Sequence, residues 1–206
     1  MKIFTTINPK GNFEAQEEAL RSWADKYEVI SVNHEEEIDY AKERFPFVRF
    51  VKSEGSFDYN GKKLVTLNSI LSAIKKEGDR YCAIVNSDII LDGNLSIPSK
   101  NIDDGLVIAT RWELDGKEET YPFVNGYDLF IFDRKNADLF MNPKYVIGMP
   151  WWDFWIPSIA IKAGLKVSHI KTKKILHRTH DTNYDGDIWI SFGESLYRDL
   201  MLGKKT

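Results

Sequence analysis

Tyr81-Cys82-Ala83-Ile84-Val85-Asn86-Ser87-Asp88-Ile89-Ile90-Leu91 is an apolar, partly β-branched run interrupted by Asn-Ser-Asp. Continuous apolar runs suit strands covered on both faces, and ligands of open α/β sheets bind beyond the carboxyl ends of such strands. The run therefore predicts a parallel strand that delivers Asp88 to its C-terminal end, where a metal or a phosphate would be handled. The same three residues also suit a plain turn, where Asn, Ser and Asp are common.

Upstream, strand and helix signals alternate. Lys2 to Ile7 reads as a strand, and Phe13 to Lys26 as a helix with Phe13, Leu20, Trp23 and Ala24 at helical spacing and Asn12 as its N-cap. Tyr27 to Val32 is a second strand, and Glu35 to Phe45 a second helix whose three opening glutamates suit its N-terminus. Phe47 to Val51 is a third strand, Ser53 to Gly61 a loop or flap, and Lys63 to Lys76 a helix striped by Leu64, Leu67, Ile70, Leu71 and Ile74. This order implies right-handed crossovers and a mainly parallel sheet flanked by helices, an α/β, Rossmann-type domain.

Downstream the rhythm changes to mixed α+β. Leu106 to Thr110 and Tyr127 to Phe132 read as strands, Trp151 to Ala163 as a helix between Pro150 and Gly164, and Lys166 to Ile170 and Lys173 to Leu176 as short strands. A polar tail begins at His177. The expected organisation is one domain over 1–206 in three parts: 1–91, 92–180 and a C-terminal tail or lid (181–206).

The 206 residues carry 28 Lys+Arg against 31 Asp+Glu, a net charge of -3. That balance argues against a broad electrostatic grip on nucleic acid. The single Cys82 allows neither an intrachain disulfide nor a cysteine cluster for zinc, so a reducing, cytoplasmic setting is expected. No stretch reaches the roughly 20 apolar residues of a membrane span, leaving surface contact as the expected mode of any membrane association. Four of the six tryptophans, Trp151, Trp152, Trp155 and Trp189, fall late in the chain, which suits a core or a wall for a sugar.

The order of these motifs resembles that of the A-type (GT-A) nucleotide-sugar glycosyltransferases, over nearly the whole chain, and the resemblance implies a nucleotide-binding half (1–91) and an acceptor-binding half (92–180). The matching residues run Thr5-Thr6-Ile7-Asn8-Pro9, Asn33, Lys63 with Asn68, Asn86-Ser87-Asp88, Gly126, Asp153, then His177 or His180. The departure is Asn86, which stands where the family's Asp-x-Asp motif has its first carboxylate. The resemblance implies a nucleotide-sugar donor, UDP foremost, held by Thr5, Thr6, Ile7, Pro9, Asn33, Lys63, Asn68, Asn86, Ser87 and Asp88. It also implies a divalent cation, Mn2+ or Mg2+, on Asp88 with His177 or His180, and an acceptor hydroxyl on a glycan, a lipid-linked molecule or a protein.

Asp153, inside Trp151-Trp152-Asp153-Phe154-Trp155, is the candidate general base of an inverting transfer, because aromatic surroundings raise a carboxylate's basicity. A helix cap and a binding carboxylate are the other roles open to it. Gly126, Trp151 and Trp152 are the expected acceptor or sugar contacts. Two rival activities use a similar fold: a sugar nucleotidyltransferase, whose Gly-rich phosphate loop has no counterpart at Thr5 to Asn12, and a non-catalytic nucleotide- or carbohydrate-binding module.

Overall fold

The computed structural model describes the chain except residues 60, 96, 104, 117, 180–185 and 202–206 and the side chains of 118–120. The first half runs β1 (Lys2–Thr5), α1 (Phe13–Ala24), β2 (Glu28–Asn33), α2 (Glu35–Arg44), β3 (Arg49–Lys52), β4 (Ser56–Tyr59), β5 (Lys62–Val65), α3 (Leu67–Glu77) and β6 (Tyr81–Val85). The second half continues with β7 (Ile89–Leu91), α4 (Ser99–Asp103), β8 (Gly105–Ala109), β9 (Trp112–Asp115), β10 (Glu118–Pro122), β11 (Leu129–Asp133), α5 (Ala137–Phe140), α6 (Trp152–Lys162), β12 (Lys166–Ile170), β13 (Ile175–Arg178) and α7 (Gly186–Met201).

Seven strands form the main sheet in the order β12-β8-β11-β6-β1-β2-β3, parallel throughout except for β11, which runs against both of its neighbours. Period-two alternation splits the buried strands between two cores. Phe4, Ile84, Ile108 and Phe130 pack with α3 and α6, whereas Ile3, Ala83, Val107 and Leu129 pack with Trp23 of α1. Each fully buried large side chain contributes about 1.5–3 kcal/mol. Cys82 lies in this core, where burial pushes its thiol up to about 12, so it is inert packing.

A second sheet, β10-β9-β13-β7, was not legible in the sequence. Three further boundaries differ from expectation. Lys63 to Val65 continues an antiparallel hairpin with β4 rather than opening a helix, and α3 starts after Thr66, whose hydroxyl caps it by accepting from the Ser69 amide at 3.2 Å. The expected loop Ser53 to Gly61 thus contains a strand. His177 belongs to β13 rather than to a polar tail, and the described part of the tail beyond residue 185 is the 16-residue α7. Among the described residues no helix is long and apolar enough to cross a membrane.

The parallel pair β8–β12 depends on a bare backbone at Gly105, where an added Cβ would lie 1.8 Å from the Lys166 carbonyl oxygen. Gly105→Ala is expected to cost at least about 1–3 kcal/mol by overpacking, read as a lower urea midpoint. An unchanged midpoint would contradict this packing.

Candidate active site

The reversed direction of β11 builds the site. Its first residue, Leu129, pairs with Val85 at the end of β6 and with Ala109 at the end of β8, so three strand ends meet on one edge. Asn86 to Asp88, Thr110 to Glu113 and Gly126 to Asp128 flank those ends and converge. The second sheet adds His177, which lies opposite Ile89 on one side and Glu113 on the other.

The result is a chain of buried charges. Arg111 bonds Glu113 Oε1 through Nε and Asp128 Oδ1 through Nη1, both at 2.7 Å. The second Glu113 oxygen lies 2.8 Å from His177 Nδ1, and His177 Nε2 lies 3.5 Å from Asp88 Oδ2. Burial alone would raise Glu113, but hydrogen bonds from His177 and Arg111 outweigh it and hold its carboxyl below the usual range. An ionised Glu113 accepts from Nδ1–H and puts the Nε2 lone pair on the Asp88 side, the arrangement in which carboxylates orient metal-binding histidines. Two ligands about 2.1 Å from one divalent ion and at right angles stand about 3 Å apart, close to the Asp88–His177 separation. Asp88 and His177 are therefore the described residues that could share a divalent cation. Among the described residues no set of three or more His, Cys, Asp or Glu side chains is placed to hold one. His180 lies outside the described residues.

Asp128 occupies the corner next to the motif. Its Oδ1 accepts from Asn86 Nδ2 at 3.0 Å as well as from Arg111, while its Oδ2 is buried with no hydrogen-bond partner among the described residues. Burial, reinforced by the Asp88 charge, pushes its carboxyl up despite Arg111. This accounts for the departure at position 86: an amide there donates to Asp128, whereas a carboxylate would oppose it.

Asp153 sits in the first turn of α6. Its Oδ2 accepts from the Tyr127 amide at 3.0 Å, and a Cβ on Gly126 would lie 2.8 Å from that oxygen. Gly126 is thus needed for the carboxylate to seat. Burial first, then the Asp128 charge, push Asp153 up to about 6 against the opposing backbone hydrogen bonds. Trp151 precedes it in the left-handed region (φ 75), held by its indole, which donates to the Trp189 carbonyl at 2.8 Å. Trp152 is core, packed on Phe130, and does not reach the site.

The expected donor residues divide. Thr5 is buried at the end of β1 with an unpartnered hydroxyl, and Thr6 and Pro9 are partly exposed beyond it. Asn33 is fully engaged: its Oδ1 accepts from Ser31, and its Nδ2 donates to the Ile7 carbonyl and to Glu37. It braces the first two loops. Lys63 pairs with Glu36 on the surface, and Asn68 accepts from the Asn142 amide. Ser87 donates to Gln16, which also ties down Asn8. Arg111, Glu113 and Asp128 were missed in the sequence, where only charged residues interrupting an aromatic stretch marked them.

Asn86→Asp would set two carboxylates within 3.0 Å of each other in a buried corner. It is expected to cost about 1–3 kcal/mol at neutral pH, with the loss shrinking on acidification as one carboxyl takes a proton. Melting curves from pH 4 to 8, roughly spanning the carboxylate range, check this; a pH-independent effect would contradict it.

No family model matches the sequence, and no curated protein matches it. Solved structures do. Residues 1–349 of Staphylococcus aureus TarS in complex with UDP-GlcNAc align with a TM-score of 0.52 at 12% identity, over 89% of this chain and 60% of that one. The same TarS fragment with UDP gives 0.54 at 12% identity, over 87% and 61%. A putative nucleotide-diphospho-sugar transferase from Desulfovibrio desulfuricans G20 gives 0.50 at 13% identity, over 97% and 99%. The chain thus spans about 60% of the TarS fragment's length. Its fold is the GT-A-like fold of nucleotide-sugar transferases.

Proposed function

We propose that this protein is a metal-dependent glycosyltransferase that moves a sugar from a nucleotide-diphosphate donor, a UDP-sugar, to a hydroxyl acceptor with inversion. The observation that carries this reading is the pairing of two devices at one sheet edge. Asp88 lies 3.5 Å from His177, whose other ring nitrogen is held by Glu113, and Asp153 is a desolvated carboxylate in the field of Asp128. The UDP and UDP-GlcNAc held by the TarS structures support the choice of donor.

Asp88 and His177 would hold Mn2+ or Mg2+, which offsets negative charge on a departing diphosphate. The chain's own groups account for the rest. Asp153 takes the proton of the acceptor hydroxyl as the acceptor oxygen bonds the anomeric carbon, while the bond from that carbon to the diphosphate breaks and its electron pair leaves with the phosphate. The Tyr127 amide fixes the basic oxygen, and burial supplies its basicity. The imidazole contributes a nitrogen ligand that favours manganese over magnesium.

A thermal-shift series with UDP, GDP, CDP and dTDP, each with Mn2+ or with EDTA, tests the donor site. A manganese-dependent rise with UDP that disappears in Asp88→Ala is expected; no rise with any nucleotide would contradict the proposal. Asp153→Asn is expected to lower turnover about 10²- to 10⁴-fold while UDP-sugar affinity holds. Unchanged turnover would exclude Asp153 as the base.

The same variant makes a stability prediction of fixed sign. An acid whose folded pKa is raised contributes stability fully below its unfolded pKa and loses it as pH rises through the folded value, here about 6. Asp153→Asn removes that penalty. It is expected to match the parent near pH 3 and to exceed it by up to about 2–3 kcal/mol near pH 8, measured by urea unfolding. A variant less stable than the parent at both pH values would show that Asp153 serves chiefly as a cap.

A further inference from the structure

The segment Trp151 to Trp155 sorts its aromatic rings by face. Trp152 and Trp155 point into the core, where Trp155 stacks on Tyr145 at 4.9 Å. Trp151 and Phe154, three residues apart, are partly buried against the same core and join a row of rings that reaches the surface at its two ends. Trp189 of α7 lies 4.6 Å from Trp151, Trp151 lies 5.2 Å from Phe154, Phe154 lies 5.5 Å from Tyr127, and Tyr127 lies 5.7 Å from His169 of β12. Trp189 is half exposed, His169 is exposed, and the three rings between them are partly exposed. Neighbouring rings are tilted by 49° to 87°, with Tyr127 meeting Phe154 and His169 edge to face.

The row adjoins the candidate base: the Tyr127 amide holds Asp153 Oδ2, and Trp151 and Phe154 flank that residue in sequence. We infer that this ledge is the acceptor surface and that it takes a linear oligosaccharide, with successive sugar rings lying against successive aromatic faces. The inference rests on the proposed transferase reading and narrows its acceptor. A pyranose has the mixed character the ledge asks for. Its C–H face covers an aromatic ring, and its hydroxyls remain for polar groups at the rim. The rim supplies them: Asp153 in the middle, and Thr110 with its hydroxyl 3.4 Å from His169 Nε2 at one end. Rings spaced about one sugar unit apart also suit a chain better than a single sugar.

The test uses the full chain with mono- to hexasaccharide series of β-1,4-linked glucose, β-1,4-linked N-acetylglucosamine and α-1,4-linked glucose. Binding is read by calorimetry, and phosphatidylcholine–phosphatidylglycerol vesicles form a separate arm. In at least one series affinity should rise at least about tenfold from the disaccharide to the hexasaccharide. That gain should be lost in Trp189→Ala and, at the opposite end, in His169→Ala, with melting curves confirming that each variant is folded. Length-independent binding, no binding in any series, wild-type affinity in both variants, or vesicle binding through Trp189 in place of oligosaccharide binding would overturn the inference. UDP with Mn2+ is measured in parallel: a normal UDP response without oligosaccharide binding removes the ledge alone, whereas loss of both removes the transferase reading beneath it.

Discussion

The Arg111 guanidinium, shared at 2.7 Å between Glu113 and Asp128, is the interaction on which the site depends. The topology forces the ends of β6, β8 and β11 together, and the residues that flank them bring two nearly fully buried carboxylates and the half-buried Asp88 into one corner. Buried charges of one sign are costly unless paired, and breaking a buried pair leaves an uncompensated charge worth about 3–5 kcal/mol. Arg111 supplies the compensation and seats its own cation over the Phe123 ring, 3.9 Å from the centroid. With that charge in place, Glu113 stays ionised and orients His177, and Asp128 retains Asn86. Each later feature of the site inherits its geometry from this fork.

The two halves of the chain meet across the site in a division of labour. The parallel half ends its strands in loops braced by side-chain hydrogen bonds from Gln16 and Asn33. The second half supplies titratable and aromatic groups on elements of its own: His177 on β13, Asp153 on α6, Trp189 on α7. Pro157 within α6 lacks the amide that would bond the Asp153 carbonyl, so the first turn of this helix is tied less tightly to its own ladder and more to Tyr127 and Trp151. Phe57 of the β4–β5 hairpin touches Phe192 of α7, ring centroids 6.2 Å apart, which links that hairpin to the helix that carries Trp189.

Much of the fold was legible because it depends on local patterning. The run Tyr81 to Leu91, the stripe of α3 and the first βα units carry their burial in their own spacing, and β12 falls on the expected residues. The second sheet was illegible for a physical reason. Its strands are three to five residues long, and its pairing of β13 with β7 and β9 is non-local. At the site, Asp88 and Asp153 were visible through their apolar flanks, a carboxylate amid hydrophobes being a conspicuous cost. Asn33 and Asn68 were assigned as ligand contacts through the resemblance, whereas the fold engages Asn33 with Ser31, Ile7 and Glu37 and Asn68 with Asn142. Arg111, Glu113 and Asp128 remained hidden: each is meaningful only through the others, and no spacing along the chain brings them together.

The most direct test of the central claim is crystallographic, with UDP and Mn2+ introduced together and the manganese located by its anomalous scattering. The account predicts one strong peak between Asp88 and His177 Nε2, in contact with the diphosphate oxygens, and the uracil beyond the ends of β1 and β2. A peak remote from both side chains, or a nucleotide bound away from the edge where β6, β8 and β11 meet, would contradict it.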